Sequence, residues 1–200
     1  MLESEEAGMI RSDAARNRAK VLAAAEIVLG EQGLTARMDE IARRAGVGVG
    51  TVYRHFATKE ALYAAIVSAR VDLLLDEAAR LRAAAEPQTG FFRFFAQVVA
   101  DAARKKTLTD ALLSAGIDVK AEQAGQRTQM REALADLLRD AQRVGAVRPD
   151  VGMPEILALL RGASMAAETG DYSGPVIDRT LAVLFDGLRP HAVHAPPPSA

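Results

Sequence analysis

Apolar residues recur along this chain at helical spacing almost from end to end. Val21, Leu22, Ala25, Val28 and Leu29 fall at i, i+1, i+4, i+7 and i+8. That is one face of a helix, which Gly33 would close in a left-handed conformation. Thr35 is placed to cap a second, short helix whose apolar face is Met38, Ile41, Ala42 and Ala45, and Gly46 stops it. A third short helix is predicted from Val49 to Phe56. Thr58 then caps a long helix with Glu60 in its first turn, where the helix dipole favours a negative charge. Its apolar line runs Leu62, Ile66, Ala69 and Leu73 and persists to Ala85.

Pro87 to Gly90 interrupt the pattern. Phe91 to Arg104 follows as a helix that is apolar on more than one side, which places it in a core. A short helix is expected from Thr109 to Ala115, and a longer one from Lys120 to Val144 with Met130, Leu134, Leu137, Leu138 and Ala141 in register. Gly145 and Pro149 close it. Pro154 suits the first turn of the next helix, which ends at Gly170, and Pro175 opens the last. No stretch alternates with period two, so the predicted class is all-α, with about nine helices.

The segment Thr35 to Lys59, TARMDEIARRAGVGVGTVYRHFATK, places two short helices around a tight glycine turn, the pattern of a helix-turn-helix. Ala42 lets the helices cross closely, and Gly46 supplies the positive φ that the turn requires. Val47, Val52 and Phe56 are expected to bury themselves, leaving Val49, Gly50, Thr51, Arg54 and His55 to face outward. An α-helix fits the major groove of DNA, and its N-terminal side chains reach base edges there.

The net charge of −1 looks unsuited to a polyanion, but it is unevenly spread. Between Arg11 and Lys59 the basic residues outnumber the acidic ones, and the remainder of the chain is mildly acidic. Phosphates respond to local charge, because fields are screened within about 8–10 Å at ordinary salt.

The run IARRAGVGVGTVYRHFATKEAL resembles the signature of the TetR family of transcription regulators at motif quality over roughly residues 15 to 65. VGAVRPDV, from Val144 to Val151, resembles one branch of that family. The resemblance implies an N-terminal three-helix DNA-binding domain followed by a helical-bundle domain for ligand binding and dimerisation. It further implies that Tyr53, His55 and Lys59 contact phosphates, that Thr35 touches the DNA backbone, and that Gly50, Thr51 and Arg54 lie nearest the bases. Gly48 departs from the family's frequent serine, so side-chain capping of the recognition helix is lost, at a cost of a few tenths of a kcal/mol.

The organisation expected is a disordered arm over 1–12, a DNA-binding domain over 13–57, an effector-binding and dimerisation domain over 58–190 and a disordered tail over 191–200. Phe91, Phe94, Phe95, Val98, Met130, Leu134, Met165 and Tyr172 could line an effector pocket suited to a small apolar or aromatic molecule. The same residues could equally be core. Ile156, Leu160, Ala163 and Ala167, with Ile177, Leu181, Leu184 and Leu188, form an apolar surface expected to pair with its copy in a second subunit.

Nothing in the chain demands catalysis. Cysteine is absent, and His191 and His194, though spaced like ligands, lie in the tail without partners. No phosphate loop or paired-carboxylate motif stands out. No metal, cofactor or membrane is expected. The opening residues lack a secretory pattern, and no apolar run is long enough to span a bilayer, so a cytoplasmic protein is expected, nucleoid-associated when bound to DNA. The reading is a dimeric, ligand-responsive repressor of a palindromic operator. The alternatives are an effector-independent, chromosome-associated DNA-binding protein and a helical small-molecule-binding enzyme.

Overall fold

The computed structural model describes the backbone of residues 2–114, 124–170 and 172–190, and within it the side chains of 13–33, 35–102, 125–170 and 172–190. Among the described residues there are eight α-helices and no strand. They are α1 (Leu2–Gln32), α2 (Met38–Ala45), α3 (Val49–His55), α4 (Lys59–Ala83), α5 (Pro87–Ser114), α6 (Ala124–Arg143), α7 (Met153–Thr169) and α8 (Gly174–Leu188), with a 3-10 turn over Gly33–Thr35.

The all-helical class is the one the sequence pattern predicts, and the count is lower for one physical reason. The two helices expected from Phe91 and from Thr109 are a single helix, α5. Nothing in Lys105, Lys106, Thr107 or Leu108 breaks a helix, so the backbone continues through them. At the N-terminus, where a disordered arm over 1–12 is expected, the described backbone of α1 runs back to Leu2. Leu, Glu and Ala are good helix formers, and no proline interrupts them. The residues expected to start the sixth helix at Lys120 and to form the tail over 191–200 lie outside the described residues.

The chain divides into two compact units. The first contains the described residues up to Arg70 with the end of α5 from Lys105; the second contains Val71–Arg104 and the described residues from Gly125 onward. The first unit therefore does not close at residue 57. Leu62, Tyr63, Ile66 and Val67 of α4 are buried with Val21, Ala25 and Val28 of α1, Ile41 of α2 and Val52 of α3. The opening turns of α4 bury their apolar face in this core. Arg70 of α4 donates from Nε to Glu26 Oε1 of α1 at 2.7 Å, a part-buried tie between the two helices.

In the second unit, Phe91, Phe94, Phe95 and Val99 of α5 are fully buried among Leu81 of α4, Leu134 and Leu138 of α6, Ile156 of α7 and Leu181 and Leu188 of α8. Phe185 of α8 packs on Phe92 and Phe95 with ring centroids 5.0 and 5.6 Å apart, the second pair edge-on as aromatic quadrupoles prefer. Gln126 donates to Asp72 at 2.7 Å, and Arg82 donates to Asp136 and Asp140 at 2.6 and 3.2 Å, so α6 is held along α4 by polar contacts.

The loop after α6 carries the segment VGAVRPDV. Val147 is buried, and Gln142 Nε2 donates to the carbonyls of Arg148 and Val151 at 3.1 and 2.9 Å. The Arg148 amide in turn donates to the Leu188 carbonyl at 2.9 Å, fastening the loop to the end of α8. Arg148 and Asp150 pair through two hydrogen bonds, and the guanidinium holds the Asp150 carboxyl below its ordinary value.

Candidate nucleic-acid interface

The turn between α2 and α3 is built as the sequence demands. Gly46 sits at φ 68°, and the amides of Gly46 and Val47 return to the carbonyls of Arg43 and Ala42. This is a left-handed helix stop that a side chain would strain. Asp39 and Glu40 lie in the first turn of α2 and Arg43 and Arg44 in its last, each sign at the dipole end that favours it.

α3 begins at Gly48 without a side-chain cap, in keeping with the missing serine. Val52 is fully buried, and Phe56, whose amide donates to the Val52 carbonyl at 2.8 Å, is buried at the helix end. These two anchors fix the rotation of the helix. Val49, Gly50, Tyr53 and Arg54 consequently share one exposed face, with Tyr53 51% exposed, while Thr51 and His55 flank it half-buried. Among the described residues, this face of the seven-residue helix is left largely to solvent.

α4 starts beside it. Thr58 accepts the Ala61 amide at 3.1 Å, the cap expected from the sequence. The Glu60 carboxyl is held below its ordinary value by its own backbone amide first and then by the Thr58 hydroxyl. Lys59 is half-buried, with Nζ 5.6 Å from the centroid of the Tyr63 ring. Thr35 is exposed but does not cap α2. Its hydroxyl donates backwards to the Gln32 carbonyl at 2.7 Å, and Arg37 is the capping residue, without a side-chain bond. The 3-10 turn over Gly33–Thr35 shifts the start of α2 by two residues, which the spacing alone did not reveal.

One neighbour of α3 was missed in the sequence. Arg18 of α1 lies over the Phe56 ring, 5.4 Å from its centroid. Thirty-eight residues separate the two, and no local pattern links them.

Among the described residues, those expected to line an effector pocket differ in burial. Phe91, Phe94, Phe95 and Leu134 are buried core, Val98 and Met130 pack half-buried against it, and Met165 and Tyr172 are 56% and 54% exposed. A cavity of about 230 Å³ in the second unit takes only Phe91 from that set, and is otherwise lined by residues including Leu81, Arg82, Pro87, Gly90, Leu137, Asp140 and Arg143.

The predicted dimer surface is also out of phase. Ile156, Ala163, Leu181 and Leu188 are buried in their own core, and Leu160, Ala167, Ile177 and Leu184 pack half-buried against it. The larger exposed apolar side chains of α7 and α8 are instead Leu159, Met165 and Val183, the last 74% exposed. Among the described residues no group of acidic, histidine or cysteine side chains is placed to hold a metal, and no helix is long and apolar enough to cross a membrane.

Comparison with known proteins agrees with this arrangement. Residues 21–66 match the family model described as bacterial regulatory proteins, tetR family, and residues 86–190 match the SbtR-like transcriptional regulator C-terminal domain. A TetR transcription regulatory protein from Mycobacterium vanbaalenii is 43% identical, covering 90% of this chain and 99% of that one, with a TM-score of 0.77. The TetR transcriptional regulator SCO0520 from Streptomyces coelicolor is 34% identical over 88% of this chain and 99% of its own, with a TM-score of 0.74. The HTH-type transcriptional regulator SAR0097 from Staphylococcus aureus is 45% identical over 69 residues, 34% of this chain and 36% of that protein. With its helix-turn-helix exposed and both family models matched, the chain belongs to the TetR family and is a DNA-binding transcriptional regulator.

Proposed function

We propose that the chain is a ligand-responsive repressor that binds a palindromic operator as a homodimer. The observation that carries this reading is the exposed face of α3, anchored from beneath by Val52 and Phe56. In the major groove that face offers Gly50, Thr51 and Arg54 to base edges, while Tyr53, His55 and Lys59 reach phosphates and Thr35 the sugar–phosphate backbone.

The sides of α7 and α8 turned away from the core support a second copy. Val176, Thr180, Val183 and Gly187 follow one another at i, i+4, i+7 and i+11, and Leu159, Gly162 and Ala166 lie on α7. A Cβ added at Gly162 or Gly187 would meet nothing within 4 Å, so the protomer itself has no need of glycine there. Close approach by a partner helix would use both. A two-fold dimer sets recognition helices about 34–36 Å apart, one turn of DNA.

The cavity beside Phe91 and Leu137 supports a small effector with an apolar body and a polar group for Arg82, Asp140 or Arg143. Such a molecule regulates only if it binds the DNA-incompetent state more tightly. When bound to its operator the protein would sit on the nucleoid.

The test is a panel of operator variants titrated across salt. Lys59→Ala should weaken binding to every sequence alike and lower the salt slope by roughly one unit. Arg54→Ala should instead flatten the preference among variants, by about 1–3 kcal/mol at the position it reads. Identical behaviour of the two variants would overturn the division of roles. An operator affinity that no cell metabolite shifts would favour an effector-independent regulator.

A further inference from the structure

Most arginines of the first unit are already neutralised by a carboxylate. Arg16 pairs with Asp13 at 2.7 Å, Arg37 with Asp39 at 3.1 Å, Arg43 with Glu40 at 3.2 Å, Arg44 with Glu31 at 2.9 Å and Arg70 with Glu26 at 2.7 Å. Arg18, Lys20 and Arg54 have no such partner among the described residues. Lys20 follows Arg18 by two residues, which turns it about 200° around α1, to the other side of the helix. That leaves two uncompensated guanidinium groups associated with α3: Arg54 on it, and Arg18 lying over Phe56 at its C-terminal end.

The Arg18 contact has the geometry of a cation over an aromatic face, within the roughly 6 Å at which the ring quadrupole attracts. Phe56 is buried in the core beneath α3, so the ring is a shelf held by its packing. A guanidinium held over a ring by its charge still has N–H groups to donate to an anion, and it surrenders little further side-chain freedom when it does so. The carbonyls at the C-terminus of α3 add a negative field that favours a cation there.

We propose that Arg18 is a phosphate clamp, held ready by the Phe56 ring to grip the DNA backbone beside the bases that α3 reads. The inference rests on the DNA-binding reading above and adds a contact from α1 that neither the recognition helix nor α4 supplies. It also ranks the basic residues: the arginines of α2, though closer in sequence to the turn, contribute less to the attraction for phosphate.

The experiment uses the full-length protein and a labelled mixed-sequence duplex about three helical turns long, on the order of 30 base pairs. Binding to such DNA is dominated by phosphate contacts, so no operator need be known. Arg18→Ala should lower the slope of log affinity against log salt by about one per protomer contact and weaken binding on the order of three- to tenfold. Arg18→Lys keeps the charge and loses the guanidinium's fork of N–H donors. It should restore the slope while leaving part of the affinity deficit. The charge-neutral pair Glu31→Ala with Arg44→Ala should leave the slope unchanged. Circular dichroism melts establish that each variant is folded. A slope and affinity for Arg18→Ala equal to those of the parent, or a slope that falls equally in the Glu31/Arg44 pair, would overturn the proposal. Absence of salt-dependent binding by the parent protein would instead overturn the DNA-binding reading itself.

Discussion

The Tyr63 hydroxyl is buried in the first unit with no hydrogen-bond partner among the described residues. Burial, with a smaller contribution from the Glu60 charge, pushes its phenol from 10.0 up to about 12. The folded value is thus raised above the unfolded one. Below about pH 10 both states are neutral and the group leaves stability independent of pH. As pH rises from about 10 to 12 the unfolded chain ionises first, and stability falls. Tyr63→Phe should therefore be neutral or stabilising by up to about 1 kcal/mol near neutrality. Its stability should also decline less steeply over that alkaline window, as read from urea midpoints across pH; a steeper decline than the parent's would contradict this. Residues of this scale were unevenly legible. Thr58 was readable as a cap because capping is local, whereas Thr35, with the same chemistry, turns back to Gln32 through a 3-10 turn that no spacing announces. The Arg18–Phe56 contact depends on how α1 crosses α3, so it could be found only in three dimensions.

Helices α2 and α3 owe their relation to one backbone position. Gly46 holds φ 68°, where an L-residue with a Cβ costs about 1–2 kcal/mol. No neighbouring atom lies within 4 Å of a Cβ built there, so the penalty is conformational and not steric crowding. Gly46→Ala should lower the unfolding free energy by about that amount, measured by denaturant titration at unchanged m-value. An unchanged midpoint would show that the turn tolerates another conformation. For α7 and α8, periodicity identified an apolar face correctly but could not say what it faced. Ile156 and Leu181 point into their own core, because α5 with its phenylalanines offers apolar surface on more than one side. Leu159 and Val183 are the exposed pair, and they lie outside that periodic set. The phenylalanine stripe is buried for the same reason: a helix apolar nearly all round has neighbours on every side.

For the whole molecule, fold class and family were legible because they rest on features that are local in sequence: the glycine turn, the buried Val52 and Phe56, and the exposed Tyr53-Arg54 face. The division into units was less so. A helix such as α4 reads as one element from its pattern, yet its opening turns belong to the first core and its later turns to the second. Assembly belongs to this scale too. Val183→Glu places a charge on the proposed two-fold surface, at a side chain that packs little within the protomer. It should leave thermal stability of the monomer near that of the parent while converting a dimer to monomers in sedimentation, with loss of operator binding. A variant that remains dimeric would place the interface elsewhere.

The central claim is that this chain reads DNA sequence through two copies of α3. Selection of bound duplexes from a random pool by the purified full-length protein tests it most directly. The account predicts recovery of an inverted repeat with half-sites about one helical turn apart. Recovery of no motif above background by a folded, dimeric protein would contradict it.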